Sequence, residues 1–138
     1  MADLSCAIAG RIGLSEDETD GLRMGAMIHD IGKISVPAEI LSKPDKLSEI
    51  EFGLIKAHPQ VAYEILRSIE FPWPIAKMVL QHHERMNGSR YPFGLTGEEI
   101  IREARILAVA DVVDVMSSHR PYRPGLGIEK ALAENFIE

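Results

Sequence analysis

The sequence predicts a single all-α domain of six or seven helices. Three observations carry that expectation. The form Ser/Thr-x-x-Glu occurs at Ser15-Glu16-Asp17-Glu18, Ser48-Glu49-Ile50-Glu51 and Thr96-Gly97-Glu98-Glu99. In each, the cap hydroxyl and the glutamate can satisfy each other's free backbone N–H groups, which marks a helix start. No stretch alternates apolar and polar residues with β-branched side chains, so strands are absent or trivial. Hydrophobic residues make up 46% of the 138 and charged residues 26%, a globular balance that argues against intrinsic disorder and suits one domain.

The elements follow in order. Residues 1–12 read as a short apolar helix. Ser15 caps a helix reaching about Ile31, and Ser48 caps a second. Pro59 suits the first turn of a helix running to about Ile69, because its missing N–H is not needed there. Trp73-Pro74 opens another, carrying Ile75, Val79 and His83. Thr96 caps a long helix ending near Ser117, and Gly127 precedes a last one. The loops hold Val36-Pro37, Lys43-Pro44, Asn87-Gly88, Tyr91-Pro92 and Arg120-Pro121.

Composition also excludes some function classes. Fifteen basic against 21 acidic residues give a formal charge of −6, a poor match to duplex nucleic acid, whose phosphates need clustered Lys and Arg. The lone Cys6 cannot form an internal disulfide, so this is no disulfide-stapled secreted module. The longest wholly apolar run, Ile106 to Ala110, is far shorter than the ~20 residues of a membrane helix. No basic-then-apolar leader opens the chain. A cytoplasmic location is the expectation.

The informative residues are polar ones on apolar helix faces. Ile100, Ala104, Leu107, Asp111 and Val115 recur at steps of four, three, four and four, which is one face of a helix. Asp111 interrupts that stripe. Leu22, Ala26 and His29 share a face, as do Ile75, Val79 and His83. His82 and Asp30 stand beside two of these residues, and His58 sits just before Pro59, where the helical conformation is disfavoured. A buried carboxylate without a partner costs several kcal/mol or takes up a proton, and a cation is one way to satisfy it. One histidine on an apolar face is usually a core residue bonded to a carbonyl. Two His-containing doublets, an isolated His and a stripe-breaking Asp are hard to explain separately. A metal centre in the helical core is therefore expected, with nitrogen and oxygen ligands that suit Fe, Mn, Zn or Ni. Adjacent residues on a helix lie about 100° apart, so His82 and His83 are expected to serve two neighbouring ions rather than chelate one.

His29-Asp30-Ile31-Gly32-Lys33, His58, His82-His83-Glu84, Tyr91-Pro92 and Asp111 together resemble the HD-GYP domain, a branch of the HD phosphohydrolases. The resemblance spans nearly the whole chain and includes residues 34–44 and 104–123. The His-Asp-x-Gly-Lys string is moderately specific alone. It becomes strongly specific with His-His-Glu 53 residues on from His29 and with Asp111 in Val-Ala-Asp-Val-Val-Asp. The resemblance implies an all-α fold holding two or three metal ions, usually iron or manganese. It also implies hydrolysis of cyclic di-GMP to the linear dinucleotide or on to GMP. Carried over by position, His29, Asp30, His58, His82, His83 and Asp111 match metal ligands, with Asp30 the bridging carboxylate. Lys33 matches a phosphate-contacting lysine. Asp114, Arg120 and Arg123 match positions near the substrate phosphates, and Tyr91 and Pro92 belong to the signature loop, in which Tyr91 is a candidate substrate contact that stacks on a base or else packs.

That loop departs from the family pattern: Arg90 stands where Gly is usual. If the family Gly serves a positive φ, an Arg costs ~1–2 kcal/mol or the loop rearranges. What the loop does, such as docking a diguanylate cyclase (GGDEF) domain, is then in question, whereas the ligands are not. Family members also carry a His upstream of the helix matching residues 1–12, so residues 1–138 are expected to be a domain cut from a longer protein, with a second copy of the chain, in a homodimer, among its expected partners. The chemistry of such a centre is a water bridging two cations, whose pKa falls towards 7 so that hydroxide attacks phosphorus. Two other readings stand: a non-catalytic cyclic-dinucleotide receptor, and an HD phosphohydrolase acting on another nucleotide such as cyclic GMP-AMP.

Overall fold

The structure, a computed structural model, describes residues 1–44 and 46–117. It is helical throughout, with no strand among the described residues and one isolated bridge between Asn87 and Thr96. The helices are α1 (Ala2–Arg11), α2 (Glu16–Ile28), α3 (Ala38–Leu41), α4 (Glu49–Lys56), α5 (His58–Leu66), α6 (Ile75–Gln81) and α7 (Arg102–Ser117). Two 3₁₀ turns, Ile31–Ser35 and Gly97–Glu99, join them. The anticipated helix after Gly127 lies outside the described residues.

Both serine caps form as the spacing requires. Ser15 Oγ accepts from Glu18 N at 3.1 Å and Ser48 Oγ from Glu51 N at 3.2 Å, with each glutamate returning the bond to its cap residue. The Thr96 box also forms, but it opens only the turn Gly97–Glu99. The long helix expected from Thr96 begins at Arg102 instead. The reason lies in the core. Ile100 is extended and fully buried, and Ile101 N donates to the buried Gln81 Oε1 at 2.8 Å. That side-chain amide takes the N–H a continuous helix would have used.

The core joins α1, α2, α5, α6 and α7 through Ala9, Leu22, Ala62, Leu66, Ile75, Met78 and Leu107. Leu22, Ile75 and Leu107 are fully buried, and each such side chain contributes about 1.5–3 kcal/mol. Leu22 therefore belongs to the interior of α2, whereas Met27 on the same helix is exposed. The first helix packs on α2 and α7, and α5 packs on α6 and on the turn Ile31–Ser35.

The turn Ile31–Ser35 can approach α5 only because residue 32 lacks a side chain. A Cβ on Gly32 would lie 1.8 Å from the carbonyl oxygen of His58 and 3.0 Å from Ala62 N. This contact brings Asp30 and His58, 28 positions apart in sequence, to the same place. The α2 helix also ends at Ile28 rather than near Ile31, and α5 ends at Leu66 rather than Ile69.

Candidate metal centre

Two helices end on a histidine and a third histidine follows the end of α4, and each ring bonds to a last-turn carbonyl of the helix it follows. His29 is the C-cap of α2, and its Nδ1 lies 2.6 Å from Ala26 O. His82 is the C-cap of α6, with Nδ1 2.6 Å from Val79 O. His58 follows the end of α4 and opens α5, with Nδ1 2.6 Å from Ile55 O in the last turn of α4. A carbonyl only accepts, so each Nδ1 must carry the proton and donate it. In the neutral ring the lone pair then sits on Nε2, the arrangement in which a backbone carbonyl orients a metal-binding imidazole. Three helix C-termini meet here, and their partial negative charge favours a cation.

The Nε2 atoms converge. His58, His82 and His83 form one group whose ligand atoms lie within 4.8 Å of one another, and His29, His82 and Asp111 form a second. The histidine His82 belongs to both. Its Nε2 is buried and has no hydrogen-bond partner, although the ring is wholly inaccessible. A buried polar atom left unpaired costs about 1–3 kcal/mol, and a cation between the two groups removes that cost. The donor set is nitrogen and oxygen throughout, without a thiolate. On these grounds the residues fit divalent cations.

Asp30 faces both groups. Its Oδ2 lies 3.1 Å from His29 Nε2 and its Oδ1 3.5 Å from His58 Nε2. Asp111 Oδ1 is 3.5 Å from His29 Nε2. Nε2 of His83 is 3.3 Å from Nε2 of His58, and the rings of His82 and His83 are 4.1 Å apart. His82 and His83, expected to serve two neighbouring ions, both bring a ligand atom into the first group. His82 caps α6 with a helical backbone, and His83 follows the cap.

The electrostatics call for positive charge. Burial disfavours the His29 cation, but hydrogen bonds to Asp111 and Asp30 prevail and raise its pKa to about 10. Burial works against ionised Asp30 and Asp111 as well, yet contacts with His29, and for Asp30 with His58, hold both below the usual carboxylate range. A proton on His29 and a cation thus compete for the same carboxylates. Burial pushes His82 down to about 4 and His83 well below its ordinary value, leaving both rings neutral and able to ligate.

One side of the centre is open. Side chains of Asp30 and Lys33 are 39% and 38% exposed, against 1% for His58. Lys33 Nζ lies 3.2 Å from Asp30 Oδ2 across the turn Ile31–Ser35, so the ammonium stands at the mouth. Asp114, one turn beyond Asp111 on α7, is outside both groups, and its carboxylate lies 3.9 Å from the Met1 amino group. Arg120 and Arg123 lie outside the described residues.

The loop after α6 reaches back to the centre. Tyr91 stacks on His83, with ring centroids 4.9 Å apart and planes at 26°, and burial pushes its phenol up to about 12. The Tyr91–Pro92 peptide is cis. Arg90 does not adopt a positive φ, which in this loop belongs to Gly88 and Gly94. The strain expected of an Arg at this position is therefore absent. Glu84, 1% exposed, accepts from Phe93 N at 2.7 Å and Leu95 N at 2.9 Å. Its carboxylate ties the loop, a role that sequence reasoning missed. The available signal was a glutamate immediately after two ligand candidates.

Among the described residues no helix is long and apolar enough to cross a membrane. Residues 1–134 match the HD domain family. The chain is 45% identical to the cyclic di-GMP phosphodiesterase response regulator RpfG of Xanthomonas campestris pv. campestris, over 96% of this chain and 36% of that protein. It is 40% identical to 3'3'-cGAMP-specific phosphodiesterase 3 of Vibrio cholerae, over 91% of this chain and 27% of that one. It thus spans roughly a third of the length of these relatives. Among solved structures, the HDG"Y"P protein Bd1817 of Bdellovibrio bacteriovorus superposes with a TM-score of 0.81 at 25% identity, covering 99% of this chain and 44% of that one. By motifs, fold and relatives alike, the chain belongs to the HD domain family, within its HD-GYP branch.

Proposed function

We propose that the chain is the phosphodiesterase domain of a cyclic-dinucleotide hydrolase, cleaving cyclic di-GMP to the linear dinucleotide or to GMP with two divalent ions, iron or manganese. The observation that carries this reading is the pair of groups sharing His82, with Asp30 facing both. In this reading His58, His82 and His83 would hold one ion and His29 and Asp111 the other, with Asp30 offering one oxygen to each, because the one lone pair on His82 Nε2 serves a single ion. Relatives named as cyclic di-GMP phosphodiesterases from three bacteria support the substrate class.

Bound cations in such a pair supply a nucleophile at neutral pH and offset the charge developing on the phosphoryl oxygens. The rest falls to the chain. Carbonyls of Ala26, Ile55 and Val79 keep three imidazoles oriented, so no reorganisation is needed during reaction. Burial of His58 and His82 excludes water from the far side. Lys33, at the open side, swings from Asp30 to a substrate phosphate, where an ammonium is a strong donor. Arg120 and Arg123 would grip the second phosphate, Asp114 would accept from a guanine edge, and the exposed Phe93 beside Arg90-Tyr91-Pro92 offers a contact for a diguanylate cyclase partner.

A second substrate has specific support, because three relatives carry names of 3'3'-cGAMP-specific phosphodiesterases. Anaerobic protein loaded with Mn(II) or Fe(II) should be offered both cyclic dinucleotides, with products followed by chromatography. Hydrolysis of cyclic di-GMP in preference to cyclic GMP-AMP is the expected result. Preference for the second compound moves the substrate assignment. Tight binding without turnover of either favours a receptor.

A further inference from the structure

Four histidines approach the centre, and only three are oriented by the backbone. Rings of His29, His58 and His82 each donate Nδ1–H to a last-turn carbonyl. His83 has no such bond among the described residues. It lies past the end of α6, and its Nε2 faces Nε2 of His58 at 3.3 Å. What covers its ring is Tyr91, stacked at 4.9 Å and 26°. Phe52 of α4 meets the Tyr91 ring edge-on, with centroids 6.2 Å apart and planes at 90°. Tyr91 is thus enclosed by His83 and Phe52 and cannot tilt freely.

The loop bearing Tyr91 is fastened nearby. Glu84 follows His83 directly, and its two carboxylate oxygens accept from Phe93 N and Leu95 N, two and four residues beyond Tyr91. A buried carboxylate with two backbone donors makes a firm anchor, because losing either bond leaves charge unpaired in the interior. The anchor and the histidine it serves are neighbours in the chain, so the loop closes onto the ring from which it departs.

We infer that Tyr91 is a positioning residue for the centre: its ring, held by Glu84 and Phe52, orients His83 as the carbonyls of Ala26, Ile55 and Val79 orient the other three imidazoles. This rests on the reading of His58, His82 and His83 as a cation site and adds a role for the loop within it. Planarity is the property that matters. The phenol oxygen is not required, and no base or partner need be present.

The test is Mn(II) binding by the whole chain, read from the electron paramagnetic resonance signal of the free ion, with thermal melting as a check of the fold. Outer residues that orient a ligand typically alter metal affinity 10–100-fold. Tyr91→Phe keeps the flat ring and should bind both ions within about twofold of the parent. Tyr91→Leu keeps apolar bulk without a plane. It should weaken one ion by about 10–100-fold and leave the other and the melting temperature nearly unchanged. Equal binding of both ions by Tyr91→Leu and the parent overturns the inference alone. Equal weakening of both ions with a lowered melting temperature also overturns it, since Tyr91 would then be a general packing residue. A parent chain that binds no Mn(II) overturns the reading of the centre, and this inference with it.

Discussion

Asp30 Oδ1 lies 3.5 Å from Nε2 of His58, across a junction at which two backbones almost touch. The other oxygen of the same carboxylate faces His29 at 3.1 Å. Each oxygen therefore addresses a different helix end and a different group of ligand atoms. A carboxylate so placed gains most from two cations at once, since a single ion would leave one oxygen facing only an imidazole.

Asp30→Asn is therefore expected to lose both ions together, because an amide offers one neutral acceptor in place of two charged ones. Asp111→Asn should lose only the ion held with His29. Elemental analysis of proteins prepared side by side gives the ratio. One retained ion in Asp30→Asn removes the bridging role.

Gly32 should tolerate no side chain. A methyl group there meets the His58 carbonyl at 1.8 Å, and backbone cannot rotate away as a side-chain tip can. Gly32→Ala is expected to destabilise the fold by about 2–3 kcal/mol, a melting shift of roughly 10 °C. It should also lower metal content by parting Asp30 from His58. Calorimetric melting checks the first effect, and an unchanged melting temperature would show that the turn can retreat freely.

Much of this centre was legible because burial makes polar residues conspicuous. Asp111 and the His-containing doublets stood out against apolar stripes, and the structure gathers all six candidate ligands in one place. Their local setting was not legible. Periodicity placed His29 and His83 on helix faces, whereas His29 and His82 cap helices and His83 lies beyond one. A helix end carries no periodic signal, and the bond from ring to last-turn carbonyl is a matter of three dimensions. The Ser15 and Ser48 caps were read correctly because their partners lie three residues away. Thr96 misled because its continuation was decided by Gln81, which bonds to Ile101 twenty residues further along the chain.

Lys33→Ala should leave the metal content intact and lower turnover by roughly 10–100-fold, as expected for loss of one donor to developing charge at a half-exposed position. Steady-state rates beside elemental analysis separate the two quantities. Loss of metal in this variant would assign Lys33 to holding Asp30.

Glu51 gives a pH dependence away from the centre. A hydrogen bond from Lys43 Nζ at 2.8 Å, with bonds from Ser48, lowers its pKa from the ordinary 4.5 to about 2. The folded value lies below the unfolded one. This contribution to the start of α4 is therefore fully present above about pH 4.5 and is lost as pH falls through about 2. Carboxyl shifts followed by nuclear magnetic resonance should titrate near 2 in the parent and higher in Lys43→Ala. An unmoved midpoint would mean that the cap alone sets it.

The most direct measurement is anomalous diffraction from crystals of the Mn(II)-loaded chain. Two manganese peaks about 3.5–4 Å apart are expected, one against His58, His82 and His83, the other against His29 and Asp111, with Asp30 between them. A single peak, or two peaks with Asp30 turned away from either, would contradict the account.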